Sequence, residues 1–379
     1  MKRFIILGST GSIGQSSLDV VGANPGHFTA VGLAAGSSVD KMCEQVERFR
    51  PEAVSMDRPE AAAEVRARVG SMTKVYEGAE GLNEMIVSLE VDGVINGLVG
   101  SAGMVPTLTA LENGKDVLLA NKETMVMAGS IVMETMKKHG RRIVPIDSEM
   151  SAIYQCMNGD RSDVKRLILT ASGGPFADAT LEDLKHVTVE QALNHPTWDM
   201  GTKNTIDSAT MMNKGLEVIE ASYLFGVPGD RIDVTIHRTS VSHSFVEYVD
   251  GSLLSQISKP DMRLAIQYAM TDPKRLPSPF GGLDFTKPFS LTFEPPDFER
   301  FPCLALAYEA LAKGGTATAA MNGANEQAVE AFVDGKIPFM EIAELTGKVV
   351  EEHNFIAEPS IEDLIATDID VKRQIIEII

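Results

Sequence analysis

Gly8-Ser9-Thr10-Gly11-Ser12-Ile13-Gly14 follows directly on the apolar run Phe4-Ile5-Ile6-Leu7, and this junction constrains the chain more than any other feature. Glycines in GxxGxxG spacing let a backbone turn sharply out of a strand. They also allow close approach to a pyrophosphate, and the next helix start offers free N–H groups to an anion. Such a motif is weak evidence alone and gains weight when it opens a strand–turn–helix unit. The competing reading, a tight turn without a ligand, ranks well behind a dinucleotide site. The next strand, expected over Thr29–Leu33, runs into Ala34-Ala35-Gly36-Ser37-Ser38, and Asp40 is the first acid. A site for NAD would place an acid on the ribose 2′-hydroxyl at this point. Hydroxyls and backbone amides suit a 2′-phosphate better, so NADP is the expected cofactor.

Strand and helix patterns then alternate. Ala53–Met56, Val91–Leu98, Asp116–Ala120 and Arg142–Ile146 read as short strands, with helical spacing at 39–50, 59–69, 78–88, 103–113 and 123–138. This alternation predicts a parallel sheet covered on both faces. Beyond residue 147 the pattern changes to strands at Val164–Thr170, Val234–His237, Ser244–Val249 and Leu253–Ser258, with one long helix predicted over 205–225. A proline-rich stretch at 271–300 reads as an irregular linker. Helical patterns at about 302–313, 318–334, 338–353 and 360–378 predict a terminal bundle. The expected fold is α/β: an N-terminal Rossmann-like doubly wound sheet over 1–147, a central α+β catalytic domain over 148–270, the linker, and a helical bundle over 301–379.

Charge narrows the function. The net charge is −19, and residues 301–379 carry 5 basic against 14 acidic side chains. Nucleic acid and anionic membranes are therefore not expected as partners, and an anionic substrate needs a local cluster of donors. Cys43, Cys156 and Cys303 are odd in number and far apart, which excludes a disulfide framework and suits a reducing cytoplasm. Phe4–Leu7 is too short for a signal peptide. The uncharged stretch 93–111 is interrupted by Gly, Asn, Ser, Thr and Pro, so no membrane span is expected.

Several polar segments could form a site. In an extended Asp147-Ser148-Glu149, both carboxylates would point to one side at a carboxyl edge of the sheet, where hard oxygen ligands suit Mg²⁺ or Mn²⁺. The competing reading has Ser148 and Glu149 opening a helix capped by Asp147, and these three residues alone slightly favour it. On the helix predicted over 205–225, Thr210, Asn213, Lys214 and Glu217 share one face, which reads as phosphate donors with a third carboxylate or as an exposed polar face. Gly215 counts against the exposed face, since glycine inside a helix costs roughly 1 kcal/mol. Asn194-His195-Pro196-Thr197-Trp198-Asp199-Met200-Gly201 holds the single tryptophan among loop-forming residues and reads as a lid near 192–201. Ser172-Gly173-Gly174 offers a hydroxyl and N–H groups to a phosphate, or is a plain turn. Lys122, in Asn121-Lys122-Glu123, is either a ligand for substrate oxygens or a surface lysine. His237-Arg238 and Ser242-His243 read as structural.

Together GSTGSIG at 8–14, LLANKE at 118–123, IDSE at 146–149, ASGGPF at 171–176, HPTWDMG at 195–201, SATMMNKGLE at 208–217 and MNGANE at 321–326 resemble the 1-deoxy-D-xylulose 5-phosphate reductoisomerase family, in order along nearly the whole chain. The resemblance implies an NADPH- and divalent-metal-dependent oxidoreductase converting 1-deoxy-D-xylulose 5-phosphate into 2-C-methyl-D-erythritol 4-phosphate for isoprenoid synthesis, working as a homodimer. It implies Asp147, Glu149 and Glu217 as metal ligands. Ser172, His195, Ser208, Asn213 and Lys214 would hold the phosphate, and Lys122 and Ser148 the substrate oxygens. Trp198 and Met200 would close over the substrate. Thr10, Gly11, Ser12, Ile13, Gly36, Ser37, Ser38, Asn121, Glu123 and Gly201 would line the NADPH site. Two other readings stay open: an NADP oxidoreductase using a thiolate such as Cys156, and an inactive NADP-binding sensor.

Overall fold

Seven short strands pair in parallel: β1 (Lys2–Leu7), β2 (Phe28–Ala35), β3 (Ala53–Met56), β4 (Lys74–Glu77), β5 (Gly93–Asn96), β6 (Asp116–Leu119) and β7 (Ile143–Pro145), in the order β4-β3-β2-β1-β5-β6-β7. All the strands of the interior are buried almost throughout, as expected of strands covered on both faces. Strand order reverses at β1, whose neighbours are β2 and β5. In such sheets ligands bind outside the carboxyl ends at this reversal. The edge strand β4 was not foreseen from the sequence. Only its Tyr76 is buried, so Lys-Val-Tyr-Glu leaves little hydrophobic signal.

The computed structural model describes residues 1–157, 161–198 and 200–379 and resolves into two units. The first contains Met1–Asn121, Val132–Ser151 and Asp261–Gly281. Its last segment carries the helix Met262–Thr271, which packs on the helix Ser12–Ala23. Lys2 Nζ donates to Met270 O at 2.9 Å, and Arg142 pairs with Asp272 at 2.9 Å, tying this segment to the sheet.

The second unit contains Lys122–Ile131, Ala152–Pro260 and Gly282–Ile379. Its sheet runs β11-β10-β8-β9, from β8 (Val164–Ala171), β9 (Ile232–Ile236), β10 (Ser242–Tyr248) and β11 (Leu253–Ile257). Here β8 and β9 are parallel and the other two pairings antiparallel. Four helices, Pro302–Lys313, Ala317–Val333, Glu341–Glu352 and Ile361–Ile378, follow the predicted pattern closely.

The predicted single helix over 205–225 is two helices, Thr202–Ala209 and Met212–Phe225. Between them Met211 takes a left-handed conformation (φ +63°), and Thr210 Oγ1 accepts the N–H of Met212 at 3.3 Å. Thr210 thus serves the joint, while Asn213, Lys214 and Glu217 keep their shared face. On the other side of the second helix Met212, Leu216 and Ile219 pack with Cys303, Ala307 and Met321. A Cβ at Gly215 would lie 2.6 Å from the Ala307 Cβ, so this glycine lets the helix Pro302–Lys313 approach closely. Among the described residues no helix is long and apolar enough to cross a membrane.

The glycine loop gives the sharpest packing test. A Cβ on Gly14 would fall 2.2 Å from Gly8 O and 2.4 Å from Ser9 Cα, whereas one on Gly36 would meet nothing within 4 Å. Gly14→Ala is expected to lower unfolding free energy by about 3 kcal/mol. Gly36→Ala should leave it within about 0.5 kcal/mol. Urea denaturation followed by circular dichroism measures both.

Candidate active site

The first unit supplies two groups of candidate residues at carboxyl ends of strands. After β1, Gly8 (φ +75°) sits where a side chain would strike Gly97 O at 2.5 Å, so the loops after β1 and β5 abut without room for one. Ser9 Oγ donates to Gln45 Oε1 at 2.7 Å and Gln45 Nε2 donates back to Ser9 O at 2.8 Å, fixing the loop. The helix Ser12–Ala23 begins at Gly11 with no side-chain cap and no acid in its first turn, leaving Thr10–Ile13 suited to an anion. Gly36, Ser37 and Ser38 are exposed just past β2. Asp40 is taken up by Arg68 at 2.6 Å, which removes the first acid that could have held a ribose hydroxyl. In the fold the backbone N–H of Arg58, just past β3, meets Gly36 O at 3.4 Å, and its side chain is exposed. A residue brought in by the next strand of the sheet is invisible to a local reading. Asn121 is buried and donates to Leu98 O (3.1 Å) and Gly100 O (2.9 Å), clamping the loop after β5.

Past β7, Ser148 and Glu149 open the helix Ser148–Cys156, and Asp147 Oδ1 accepts the Ser148 N–H at 3.0 Å. The helix start that these three residues slightly favour is therefore the one formed, and the extended alternative is not. The carboxylates of Asp147 and Glu149 still approach within 4.8 Å, because a helix start also turns neighbouring side chains together. Ser148 Oγ donates to Glu149 Oε2 at 2.5 Å. Two carboxylates this close repel unless a cation or proton lies between them, so the pair fits a hard divalent ion.

In the second unit Lys122 is buried and not a surface lysine. Its Nζ donates to Asn213 Oδ1 and Glu217 Oε1, both at 2.9 Å. Asn213 Nδ2 donates to the same Glu217 oxygen at 2.6 Å, and Lys214 donates to Glu217 Oε2. The exposed-face reading of this stripe fails, since Lys214 and Glu217 are both buried. Two ammoniums address one carboxylate, the local positive cluster that a chain of net charge −19 needs to hold an anion. Glu123, also buried, pairs with Lys203 at 3.2 Å. Burial pushes its carboxyl up, but Lys203 and Lys122 outweigh this and hold it below the usual range.

A second cluster in the same unit joins Ser172, His195 and Ser208. His195 Nε2 lies 3.1 Å from each serine Oγ. Its Nδ1 accepts the backbone N–H groups of Thr197 (3.1 Å) and Trp198 (2.9 Å), so the neutral ring carries its proton on Nε2, facing the serines. Burial holds the imidazole below its ordinary pKa. Gly174 (φ +67°) brings the Ser172 turn against the helix Thr202–Ala209, where a Cβ would lie 2.6 Å from Ser208 O. Three side-chain donors thus converge, as a phosphate requires. Trp198 and Met200 are half-buried and Gly201 caps the helix Thr202–Ala209. Trp198 stands 6.3 Å from the His243 ring, and Asp199 of the expected lid lies outside the described residues.

Comparison with known proteins identifies the family. Profiles for 1-deoxy-D-xylulose 5-phosphate reductoisomerase, its C-terminal domain and the DXP reductoisomerase C-terminal domain match residues 4–129, 143–225 and 257–374. A reductoisomerase of Thermoanaerobacter pseudethanolicus is 48% identical, spanning 99% of this chain and 98% of its own. One of Bacillus cereus is 48% identical over the full length of both. The chain belongs to the 1-deoxy-D-xylulose 5-phosphate reductoisomerase family. Among solved reductoisomerases, one in complex with NADPH, fosmidomycin and magnesium superposes with a TM-score of 0.95 at 40% identity, covering 100% of this chain and 98% of that one. The Zymomonas mobilis reductoisomerase in complex with NADPH gives 0.92 at 40% identity, with the same coverage. The thiolate reading has no support in the structure, where Cys156 and Cys303 are buried and burial pushes the Cys303 thiol up to about 12.

The His195 geometry has a pH consequence. The folded ring binds a proton less readily than the unfolded chain, so stability is lost as pH falls below the ordinary imidazole value of about 6.5. Nitrogen-15 NMR should show the Nε2–H tautomer at neutral pH and a midpoint below that value. A higher midpoint, or the Nδ1–H form, would contradict the assignment.

Proposed function

We infer that this chain catalyses the NADPH-dependent isomerisation and reduction of 1-deoxy-D-xylulose 5-phosphate to 2-C-methyl-D-erythritol 4-phosphate, with a divalent metal ion, in non-mevalonate isoprenoid synthesis. Identity of 48% over the full length of relatives carrying this activity's name supports the inference most directly. The solved relative bound to NADPH, fosmidomycin and magnesium supports NADPH and Mg²⁺ as cofactors.

The roles of individual residues are our proposal. Ser172, Ser208 and His195 bind the substrate phosphate, joined by Asn213 and Lys214, and the neutral His195 donates from Nε2. Binding energy from this end orders the segment with Trp198 and Met200 over the substrate and excludes water from the reacting carbons. Asp147, Glu149 and Glu217 hold the metal, while Ser148 and Lys122 orient the substrate oxygens. Thr10, Gly11, Ser12, Ile13, Gly36, Ser37 and Ser38 hold the cofactor, with Asn121, Glu123 and Gly201 lining its site. When bound, a divalent ion supplies Lewis-acid polarisation of those oxygens and NADPH supplies the hydride. Residues 1–147 thus serve the cofactor, 148–270 the catalysis and dimer contact, and 301–379 the helical support.

We place the enzyme in the cytoplasm as a homodimer. The edge strand β11 supports the dimer, with Leu253, Leu254 and Ile257 exposed by 52%, 43% and 38% beside open backbone groups. Sedimentation equilibrium should return twice the chain mass.

Loss of NADPH absorbance with 1-deoxy-D-xylulose 5-phosphate, with Mg²⁺ or Mn²⁺ and then EDTA, tests the activity, with NADH in parallel. Metal-dependent oxidation is expected. Its absence in folded, NADPH-binding protein would favour the sensor reading. Glu217→Gln should lower turnover by roughly 100-fold or more while NADPH binding persists. Equal turnover would remove Glu217 from the essential ligands.

A further inference from the structure

Lys203 belongs to no role assigned above, yet it joins two of them. Its Nζ lies 3.2 Å from Glu123 Oε1 and 2.6 Å from Asp207 Oδ2. The three side chains retain only 14%, 4% and 0% of their exposure. Asn325 Nδ2, from the buried helix Ala317–Val333, donates to the other Asp207 oxygen at 2.8 Å. Burial pulls the ammonium's pKa down, but Asp207, Glu123 and Glu326 more than offset this and keep it charged.

Position decides what the bridge does. Glu123 directly follows Lys122, and Asp207 directly precedes Ser208. One buried ammonium therefore ties the start of the helix Lys122–Lys138 to the last turn of the helix Thr202–Ala209. The first presents the residue read as contacting the reacting oxygens, and the second a residue read as holding the phosphate. Neither carboxylate can drift from Lys203 without leaving a buried charge uncompensated, so the spacing is held firmly. A displacement of about 1 Å in such a spacing can cost on the order of 100-fold in rate.

We propose that Lys203 and Asp207 are positioning residues that set the distance between Ser208 and Lys122, and so pass phosphate-binding energy to the reacting end of the substrate. The proposal rests on the activity inferred above. It is tested in the full-length enzyme at saturating NADPH and metal with Lys203→Met, Lys203→Arg, Asp207→Asn and Ser208→Ala, and with the double variant K203M/S208A. Lys203→Met should lower kcat/KM by about 100-fold, and Lys203→Arg should recover most of that loss. In the Ser208→Ala background the same substitution should cost far less than in the wild type, because the pathway it supports is already cut. If Lys203→Met fails to fold, Asp207→Asn carries the same cycle. Losses that multiply independently, or an unchanged kcat/KM per folded enzyme with only a lower Tm, would overturn the proposal and leave a structural bridge. A wild type that does not oxidise NADPH with this substrate overturns the inferred activity and the proposal together. Wild-type turnover with additive variants overturns the proposal alone.

Discussion

Glu217 buried between Lys122, Lys214 and Asn213 is the interaction around which the second unit is organised. A carboxylate with 1% side-chain exposure is costly to bury, and the approach of two ammoniums offsets the penalty only if their geometry is held. That requirement explains several features at once. The helix Met212–Phe225 is fixed by apolar packing on its far side. Gly215 lets the helix Pro302–Lys313 close on it with no Cβ between. The preceding helix ends at Ala209 and Met211 turns left-handed, so that the polar face starts in a defined register. The neighbouring Lys203 bridge repeats the solution, with one ammonium and two carboxylates.

The Ser172–His195–Ser208 cluster follows a different logic. Ser172, His195 and Ser208 are neutral donors: burial holds the His195 imidazole below its ordinary pKa, and backbone N–H groups at Nδ1 leave its proton on Nε2. A neutral donor set binds an anion without the desolvation penalty of a second buried cation. The ammonium charge lies apart from it, in the Lys122–Lys214 pair beside Glu217. This division gives a chain of net charge −19 a local set of donors and cations.

The sequence revealed most where a local rule governs structure. The glycine loop, the alternation of strand and helix, and the terminal helices follow from periodicity and turn chemistry, and nearly all were placed within a few residues. Failures arose where long-range packing decides. Strand β4 has too few buried side chains to show a period. The polar stripe from Thr210 to Glu217 keeps helical spacing across a joint, which hid the break at Met211. At Asp147 and Glu149 the favoured helix start is present, and it also brings the two carboxylates together, which the sequence tied only to the extended alternative. Arg58 comes near Gly36 through pairing of β2 with β3, a relation that no local window contains.

Burial separated the competing readings of the polar residues. Lys122 and Lys214 have the same sequence signature as surface lysines, and only their depth beside Glu217 excludes that role. The MNGANE segment is similar. Asn325 reaches Asp207, and Glu326 pairs with Lys372 at 2.8 Å, so two adjacent polar residues of one buried helix serve different partners. Its neighbour Gly323 lies where a Cβ would fall 2.7 Å from Asp368 Oδ1 and 2.8 Å from Val371 Cγ2, which brings the helix Ile361–Ile378 close enough for that second pairing. The C-terminal helices are thus coupled, through side chains buried in a small-residue interface, to the helix that carries Ser208. An acidic segment with no assigned chemistry of its own becomes part of the frame that holds the helix bearing Ser208.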